Sequence, residues 1–464
     1  MKLCVIGGAG ARSAFLTKSL VKSAREIRVD HIVLLDNNEE HLRTYGQISK
    51  ELARRMEPSL TFDITSDARS ALTGADYIIT TIRAGGDAGR LFDEKTCLAH
   101  GVLGQETTGA GGFAMAIRSV PTLVYYCTLA REVSNPGHLI FNFTNPSGII
   151  TQALRSCGFA NVYGICDAPS GFIKQLEEIL NVPYGALDIE CYGLNHLSWF
   201  RNAKLDGRDV QEELLNNPRT YQHSEMRLFT REMARLSGEC MLNEYLYFYY
   251  RREKSLSMVQ KAEHPRGEMI YLINRELETQ LAQMELPRDF EKAFNLYMNA
   301  YGKRENAYFS VESGARREKV WNPPTVEEFL AEPDEGGYAA VALRFIRAIT
   351  DGEDCRMVLS VPNEGAIDGL EDDDVVEITC DIRSDGAHPI HIGVIDEFQL
   401  QQIKRLKYFE RCTIQAILHD DRDSAVKGLA LHPLVNDFEL AETLSGIFFK
   451  EYASFIHMNE APGQ

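Results

Sequence analysis

Basic side chains are scarce in this chain of 464 residues: 49 lysines and arginines face 67 acidic residues, which leaves a formal charge of -18. A phosphate backbone or an anionic membrane would be repelled over most of such a surface, so nucleic acid and membranes are not expected as partners. The sequence also has no stretch of eighteen or more apolar residues, and no transmembrane helix is therefore predicted.

Paired cysteines are missing as well. The ten cysteines are scattered without a Cys-x-x-Cys pair, which indicates reduced thiols in a reducing compartment. The opening residues Met1-Lys-Leu-Cys-Val-Ile resemble a strand from the start and leave no room for a signal peptide. A cytoplasmic location is expected, and the length predicts two or three closely packed domains.

Short apolar strands alternate with helices over the first 190 residues. The predicted strands are 2–6, 30–35, 75–82, 138–143 and 160–165, and the predicted helices include 13–26, 120–133 and 148–155. This alternation predicts an α/β fold in which residues 1–190 form a Rossmann-like, doubly wound parallel sheet that binds a nucleotide.

The pattern changes near residue 190. A hairpin is predicted at 187–192 and 197–205, helices at 222–237, 266–283 and 287–301, strands between 356 and 395, and helices from about 394 onward. Residues 191–464 are therefore expected to form a mixed α+β domain for substrate, metal and oligomer contacts. Residues 316–322 and 332–337 are predicted to be loops.

A glycine-rich turn follows the first strand and has the spacing Gly-x-Gly-x-x-Ser at Gly8, Gly10 and Ser13. Glycines there let a pyrophosphate approach the start of the next helix. Asp36 ends the second predicted strand, where a carboxylate can bind the ribose hydroxyls and repel the 2′-phosphate of NADP, so NAD is favoured. The alternative is a tight turn beside an incidental acidic residue. The predicted cofactor-binding residues are Gly8, Gly10, Ala11, Arg12, Asp36 and Arg83.

Polar groups follow the later strands of the predicted sheet. Arg83 and Arg90 come after one strand and Asn145 after the next, at the edge where such sheets bind ligands. Arginines suit a carboxylate or a phosphate, although solvation at the surface explains most arginines.

Cys166 and Asp167 follow another predicted strand, and His196 lies thirty residues after Cys166. A thiolate and an imidazole can bind a divalent metal, but the spacing alone favours a buried thiol and a core histidine. Asp167 can donate a proton if its pKa is raised. Tyr245 opens a tyrosine-rich stretch that is more typical of a helix core.

Six motifs in a fixed order are more specific than any one of them. They are the turn 7–13, residues 103–112 (Leu-Gly-Gln-Glu-Thr-Thr-Gly-Ala-Gly-Gly), 142–146 (Asn-Phe-Thr-Asn-Pro), 164–169 (Gly-Ile-Cys-Asp-Ala-Pro), 193–196 (Gly-Leu-Asn-His) and 245–250 (Tyr-Leu-Tyr-Phe-Tyr-Tyr). Over nearly its whole length the chain resembles the NAD- and manganese-dependent glycosidases of glycoside hydrolase family four, most of all the 6-phospho-β-glucosidases.

The resemblance implies a dehydrogenase-like fold, NAD and Mn²⁺ or another divalent metal, a phosphorylated disaccharide or glycoside as substrate, and a homodimer or homotetramer. It implies oxidation of the sugar at C3, removal of the C2 proton by Tyr245, loss of the aglycone with help from Asp167, addition of water and re-reduction. Cys166 and His196 are the implied metal ligands. The predicted substrate-binding residues are Arg83, Arg90, Asn145, Asn195 and Arg266.

Two alternatives stay open at this point. Cys-Asp at 166–167 resembles the 6-phospho-α-glucosidases, while Asp385–Pro389 resembles the β-specific enzymes, so the anomer is not decided. Lactate and malate dehydrogenases share the Rossmann start and an Asn-Pro loop, so an NAD-dependent 2-hydroxyacid dehydrogenase is a rival function. Such dehydrogenases are shorter and bind no metal thiolate. A non-catalytic NAD-bound regulator is a third reading.

Overall fold

A large sheet carries strands from both halves of the chain. The structure is a computed structural model that describes residues 1–314, 320–333, 339–352 and 355–456. The strands in these ranges are β1 (Lys2–Ile6), β2 (His31–Leu35), β3 (Thr61–Thr65), β4 (Tyr77–Thr80), β5 (Leu139–Asn142), β6 (Val162–Gly164), β7 (Leu187–Leu194), β8 (Leu197–Leu205), β9 (Arg208–Asp209), β10 (Met241–Leu242), β11 (Cys355–Pro362), β12 (Val375–Arg383) and β13 (Gly386–Pro389).

The strand order of the large sheet is β3-β2-β1-β4-β5-β6-β11-β12-β13. The first six strands are parallel, and the order reverses between β1 and β4, as in a dinucleotide-binding fold. This confirms the predicted Rossmann-like sheet. The last three strands are antiparallel and come from the second half of the chain.

Helices cover both faces of this sheet and build the rest of the protein. Within the described ranges they are α1 (Ser13–Ser23), α2 (Glu39–His41), α3 (Gln47–Met56), α4 (Ala68–Leu72), α5 (Gly86–Ala99), α6 (Gly109–Val133), α7 (Ser147–Ser156), α8 (Ala168–Leu180), α9 (Gln211–Asn216), α10 (Thr220–His223), α11 (Arg231–Leu236), α12 (Leu246–Tyr250), α13 (Arg252–Lys261), α14 (Arg266–Leu281), α15 (Phe290–Asn306), α16 (Ser310–Ser313), α17 (Val326–Ala331), α18 (Ala340–Asp351), α19 (Glu397–His419), α20 (Arg422–Leu431), α21 (Phe438–Glu451) and α22 (Ala453–Ile456).

The junction of the two halves lies where β6 meets β11. Ser360 pairs with Gly164, and a side chain at Gly164 would come within 2.6 Å of both the Ser360 and Thr151 side chains. Glycine therefore permits this close approach of the strands. The domain division at residue 190 remains a prediction, and β11–β13 extend the N-terminal sheet across it.

A smaller sheet packs on the large one. Its strand order is β10-β8-β7, with β9 paired to β8, and the predicted hairpin is confirmed as β7 and β8. The backbone N–H of Cys191 on β7 donates to Thr379 Oγ1 on β12 over 2.8 Å, which ties the two sheets together. The turn of this hairpin points to the carboxyl edge of the parallel strands through Asn195 and His196.

The continuous helix predicted over 222–237 is wrong. The chain instead forms α10, a 3₁₀ turn at Glu225–Leu228 and α11. Ser224 and Thr230 break it, because both have extended backbone and their side chains accept the N–H groups of Met226 and Met233. The predicted loops at 316–322 and 332–337 lie mostly outside the described residues.

The central helix α6 is long and apolar enough to cross a membrane by length and composition. Of its most apolar stretch, 72% is buried inside the protein. Its side chains pack against α7, α19 and α21 in the core, where Phe113 contacts Phe449. This burial is typical of a core helix.

Candidate active site

The parallel strands end around one cavity of about 320 Å³. Its wall combines the ends of β5 and β6 with the β7–β8 turn, the segment before α12 and the first turns of α14. Nine of the predicted site residues line it: Arg12, Arg83, Arg90, Asn145, Cys166, Asp167, His196, Tyr245 and Arg266. Residues far apart in sequence thus meet at the edge where such sheets bind ligands.

The glycine-rich turn leads from β1 into α1. The N–H groups of Gly7 and Gly8 donate to Leu35 O over 2.8 and 3.0 Å, and Gly7 has a φ of +81° that suits glycine. A side chain at Gly8 would meet Leu34, whereas the nearest atom to one at Gly10 is 4.0 Å away. Gly8 therefore packs on β2, and Gly10 leaves open space.

The start of α1 fits a phosphate. Arg12 occupies the N-cap without a side-chain capping bond, and Ser13 Oγ is buried with no hydrogen-bond partner. Uncapped N–H groups and an orphan hydroxyl at a helix start can bind an anionic pyrophosphate. Beside this turn, Ala11 O accepts a hydrogen bond from Tyr297 over 2.9 Å.

Asp36 lies at the end of β2, as predicted, and its carboxylate holds the glycine turn. It accepts the N–H of Ala9 over 3.3 Å and that of Asn38 over 3.0 Å. Burial raises the pKa of Asp36, while these backbone donors lower it. The side chain therefore shapes the glycine-rich loop.

Cys166 and His196 face each other across the cavity wall, with 3.8 Å between Sγ and Nε2. Ligands about 2.3 and 2.1 Å from one ion at a tetrahedral angle stand about 3.6 Å apart, so this pair fits a shared divalent cation. Burial lowers the pKa of His196 to about 3, so the imidazole is neutral as a metal ligand requires. Among the described residues no group of three or more His, Cys, Asp or Glu is placed to hold a metal.

Two hydrogen bonds hold the turn at Asn195 and His196 in place. Nδ1 of His196 lies 3.0 Å from Thr107 Oγ1, and a hydrogen bond at the second ring nitrogen is usual for a metal-bound histidine. Its φ is +106°, a strained value for a residue with a side chain. Next to it, Asn195 Nδ2 donates to Glu377 Oε1 on β12 over 2.9 Å. The turn is thus anchored from two sides.

Tyr245 lies parallel to the His196 imidazole, with ring centroids 3.8 Å apart and planes 7° apart. Its hydroxyl is 3.3 Å from the Tyr308 hydroxyl, which donates to Glu244 Oε1 over 2.7 Å. Burial raises the pKa of Tyr245, and the charge of Glu244 adds to this effect. A cation beside the phenol would act in the opposite direction.

Asp167 precedes α8 and lines the same cavity. Burial raises the pKa of Asp167, and Arg12 lowers it. A carboxyl with a raised pKa can hold a proton and donate it.

The arginines surround Glu106. Its carboxylate binds Arg83 Nη1 at 2.5 Å and Arg90 Nη1 at 3.3 Å. Burial alone would raise the pKa of Glu106, but Arg83, Arg90, Arg12 and Arg266 outweigh it and lower the pKa to about 2. Arg266 also lies over the Tyr308 ring and donates to Arg304 O over 3.2 Å. An anionic ligand here would meet guanidinium groups that are already ordered.

The family comparison covers most of the chain. Residues 2–182 match the model of family 4 glycosyl hydrolases, and residues 191–435 match the model of the family's C-terminal domain. The chain belongs to glycosyl hydrolase family 4.

Relatives in family 4 cover nearly the whole chain. It is 29% identical to 6-phospho-beta-glucosidase BglT of Thermotoga maritima, over 96% of both proteins, and 26% identical to phospho-alpha-glucosidase PagL of Clostridium acetobutylicum, over 95% of both. A structure of the Thermotoga maritima 6-phospho-beta-glucosidase with manganese, NAD⁺ and glucose-6-phosphate matches with a TM-score of 0.79, over 98% of this chain and 99% of that one, at 27% identity.

Several polar residues of this family 4 site were not singled out from the sequence. Glu106 and Thr107 lie inside a motif that was noted but given no role. Glu225, Glu244 and Tyr308 line the cavity from segments with no motif of their own, and no spacing in sequence links Tyr308 to Tyr245. Their contacts depend on tertiary packing, so no local pattern could have identified them.

Proposed function

We propose that this protein hydrolyses 6-phospho-glycosides, with 6-phospho-β-glucosides as the preferred class. The observation that carries the proposal is the convergence of Cys166, His196, Asp167 and Tyr245 on one cavity beside the glycine-rich turn. A plain dehydrogenase needs no metal thiolate, and a hydrolase with paired carboxylates needs no nucleotide. Membership of family 4 supports the same conclusion.

The two bound groups have separate tasks. NAD, held by the turn at Gly8–Arg12 and by Asp36, supplies the acceptor and later the donor of the hydride at C3 of the sugar. A divalent cation, held by Cys166 and His196, supplies a Lewis acid for the hydroxyl oxygens at C2 and C3. Polarisation of these oxygens assists both the oxidation at C3 and the loss of the proton from C2.

The side chains of the cavity carry the proton steps. Tyr245 removes the proton from C2, which the ketone at C3 has acidified. Asp167 donates a proton to the leaving oxygen at C1, a role that its raised pKa favours. The arginines around Glu106 bind the 6-phosphate, because a guanidinium matches phosphate geometry. Asn145 and Asn195 provide further polar contacts to the sugar.

A 6-phospho-α-glucosidase is the second candidate. Asp167 directly after Cys166 favours it, because this dipeptide resembles the α-specific members of the family. Cleavage of α and β substrates at C1 uses the same steps at C2 and C3, so the anomer is decided by how the cavity holds the leaving group.

One assay tests both candidates. Nitrophenyl α- and β-glucosides, each with and without the 6-phosphate, are incubated with the protein, NAD, Mn²⁺ and a thiol. We expect hydrolysis of the phosphorylated β-glucoside, no net NADH, and loss of activity with a chelator. Hydrolysis of the α-anomer alone would select the second candidate. NADH that accumulates with a 2-hydroxy acid would contradict both.

We further propose that the enzyme works in the cytoplasm as a homodimer or homotetramer. The ten free cysteines and the use of a thiolate ligand support a reducing compartment. Light scattering coupled to size-exclusion chromatography measures the assembly, and a monomeric mass at full activity would contradict it.

A further inference from the structure

A chain of hydrogen bonds leads away from the Tyr245 hydroxyl. Tyr308 Oη stands between Tyr245 Oη at 3.3 Å and Glu244 Oε1 at 2.7 Å. Tyr245, Tyr308 and Glu244 all line the cavity. The three groups therefore form a continuous path from the base of the proposed reaction to a carboxylate.

The direction of the hydrogen bonds in this path follows from chemistry. A carboxylate can only accept, so the single proton of Tyr308 points to Glu244. Tyr308 has no second proton, and the Tyr245 hydroxyl must therefore donate to Tyr308. This arrangement leaves the lone pairs of Tyr245 free to accept a proton from the cavity side.

Glu225 lies beside Glu244. The backbone N–H of Glu244 donates to Glu225 Oε2 over 3.1 Å, which holds the two residues together. Burial, and then the nearby Glu244, raises the pKa of Glu225 well above its usual range. Two neighbouring carboxyls of this kind do not both carry a charge. We assign the carboxylate to Glu244, because its Oε1 accepts the hydrogen bond from Tyr308.

We propose that Glu244, reached through Tyr308, is the final acceptor of the proton that leaves C2 of the substrate. The inference deepens the proposed function and rests on it, because it assigns the destination of the proton that Tyr245 takes.

The transfer conserves every proton. The C2–H bond breaks and its proton bonds to Tyr245 Oη, while the electron pair stays on C2 next to the C3 ketone. The original Tyr245 proton moves to Tyr308, and the Tyr308 proton moves to Glu244. Tyr245 begins and ends the step as a neutral phenol, and Glu244 becomes a carboxylic acid. The reverse sequence returns a proton to C2 when water adds at C1.

Two variants and a matched control test the path. Tyr308→Phe removes the middle hydroxyl, and Glu244→Gln removes the acceptor. Tyr221→Phe is the control. Tyr221 lies outside this path, and its hydroxyl donates one hydrogen bond of 2.9 Å to Leu215 O. Thermal shifts with NAD and with Mn²⁺ show whether each variant still folds and binds both groups.

Turnover and isotope effects are then measured with substrate deuterated at C2 or at C3. We expect both path variants to lose at least about 100-fold in kcat, the low end for a positioned base. The C2 isotope effect should increase and the C3 effect should fall toward one, since proton removal becomes the slow step. The double variant should lose no more than the worse single variant, as groups that act as a unit do.

If Tyr308 and Glu244 had only a structural role, the kcat losses and isotope effects of the variants would be different. Variants that lose activity with unchanged isotope effects, that lose it additively, or that stay within threefold of the parent would each overturn the path. Deuterium uptake by the parent protein distinguishes a failure of the path from a failure of the proposed function. If the parent takes up deuterium at C2 from heavy water and the variants contradict the path, only the path fails. If the parent shows no uptake, both fail.

Discussion

Tyr245 illustrates at the residue scale how packing and chemistry share one side chain. Its ring covers the His196 imidazole and also contacts Phe248 and Phe309. Phenylalanine can replace this packing, whereas only the hydroxyl can accept a proton. The substitution Tyr245→Phe therefore separates the two roles.

We expect Tyr245→Phe to fold and bind NAD normally and to lose about 100- to 10,000-fold in turnover, the usual range for a positioned general base. Product formed in heavy water should carry deuterium at C2 with the parent protein and not with the variant. Hydrolysis at the parental rate in the variant would show that Tyr245 is a structural member of the tyrosine cluster.

Asp36 allows a second test of a single residue. Asp36→Asn keeps the size of the side chain but removes its charge. Loss of a charge-assisted bond to ribose should weaken NAD binding by about 1.5 to 3 kcal/mol, with Mn²⁺ affinity unchanged. Titration calorimetry measures both. Asp67→Asn is the control, since Asp67 caps α4 beyond the end of β3. Equal NAD affinity in both variants would remove Asp36 from the cofactor site.

Helices and strands could be predicted from the sequence where a single local pattern of residues determines the secondary structure. The buried strands β1, β2, β4, β5 and β6 are short apolar runs and were all predicted close to their observed bounds. The edge strand β3 was missed because polar side chains alternate along Thr61–Thr65 and its outer face is partly exposed. The site followed the same rule. Cys166 and His196 were found through motifs, whereas Tyr308 depends on how α15 returns to the cavity.

Helices α5 and α6 and the chain after α21 are joined by a buried ion pair. Arg118 on α6 is fully buried and bonds to Asp93 on α5, and its Nη1 donates to Ala84 O over 2.6 Å. The guanidinium of Arg118 lies over the Tyr452 ring, with Cζ 4.6 Å from the ring centroid, and the Tyr452 hydroxyl donates to Asp93. Burial raises the pKa of Asp93 to about 7, although Arg118 opposes this.

Removal of one partner should leave the other polar group uncompensated. We expect Arg118→Met to reduce the free energy of unfolding by about 3 to 5 kcal/mol. Arg25→Met is the matched control: Arg25 pairs with Glu57 at the surface and should contribute about 0 to 1 kcal/mol. Denaturant titrations followed by circular dichroism measure both. Similar losses in the two variants would show that burial of Arg118 adds nothing.

Binding of the two cofactors should stabilise the whole molecule. A ligand at 100 times its Kd adds about 2.7 kcal/mol to the free energy of unfolding. We expect NAD and Mn²⁺ each to raise the Tm of the parent, and Cys166→Ser to retain the response to NAD and lose most of the response to Mn²⁺. Cys157→Ser is the control, since Cys157 is a half-buried thiol at the end of α7. An unchanged Mn²⁺ response in Cys166→Ser would contradict the metal assignment.

The sheet that continues from β6 into β11 restricts how the enzyme can move. Two halves joined by one linker can open and close about a hinge, but strands that are hydrogen bonded across the junction cannot rotate apart without breaking the sheet. We therefore expect substrate entry to depend on short segments at the cavity mouth. Cys166 follows β6, and the hairpin that carries His196 is hydrogen bonded to β12. We therefore expect the two proposed metal ligands to keep their separation from one chemical step to the next.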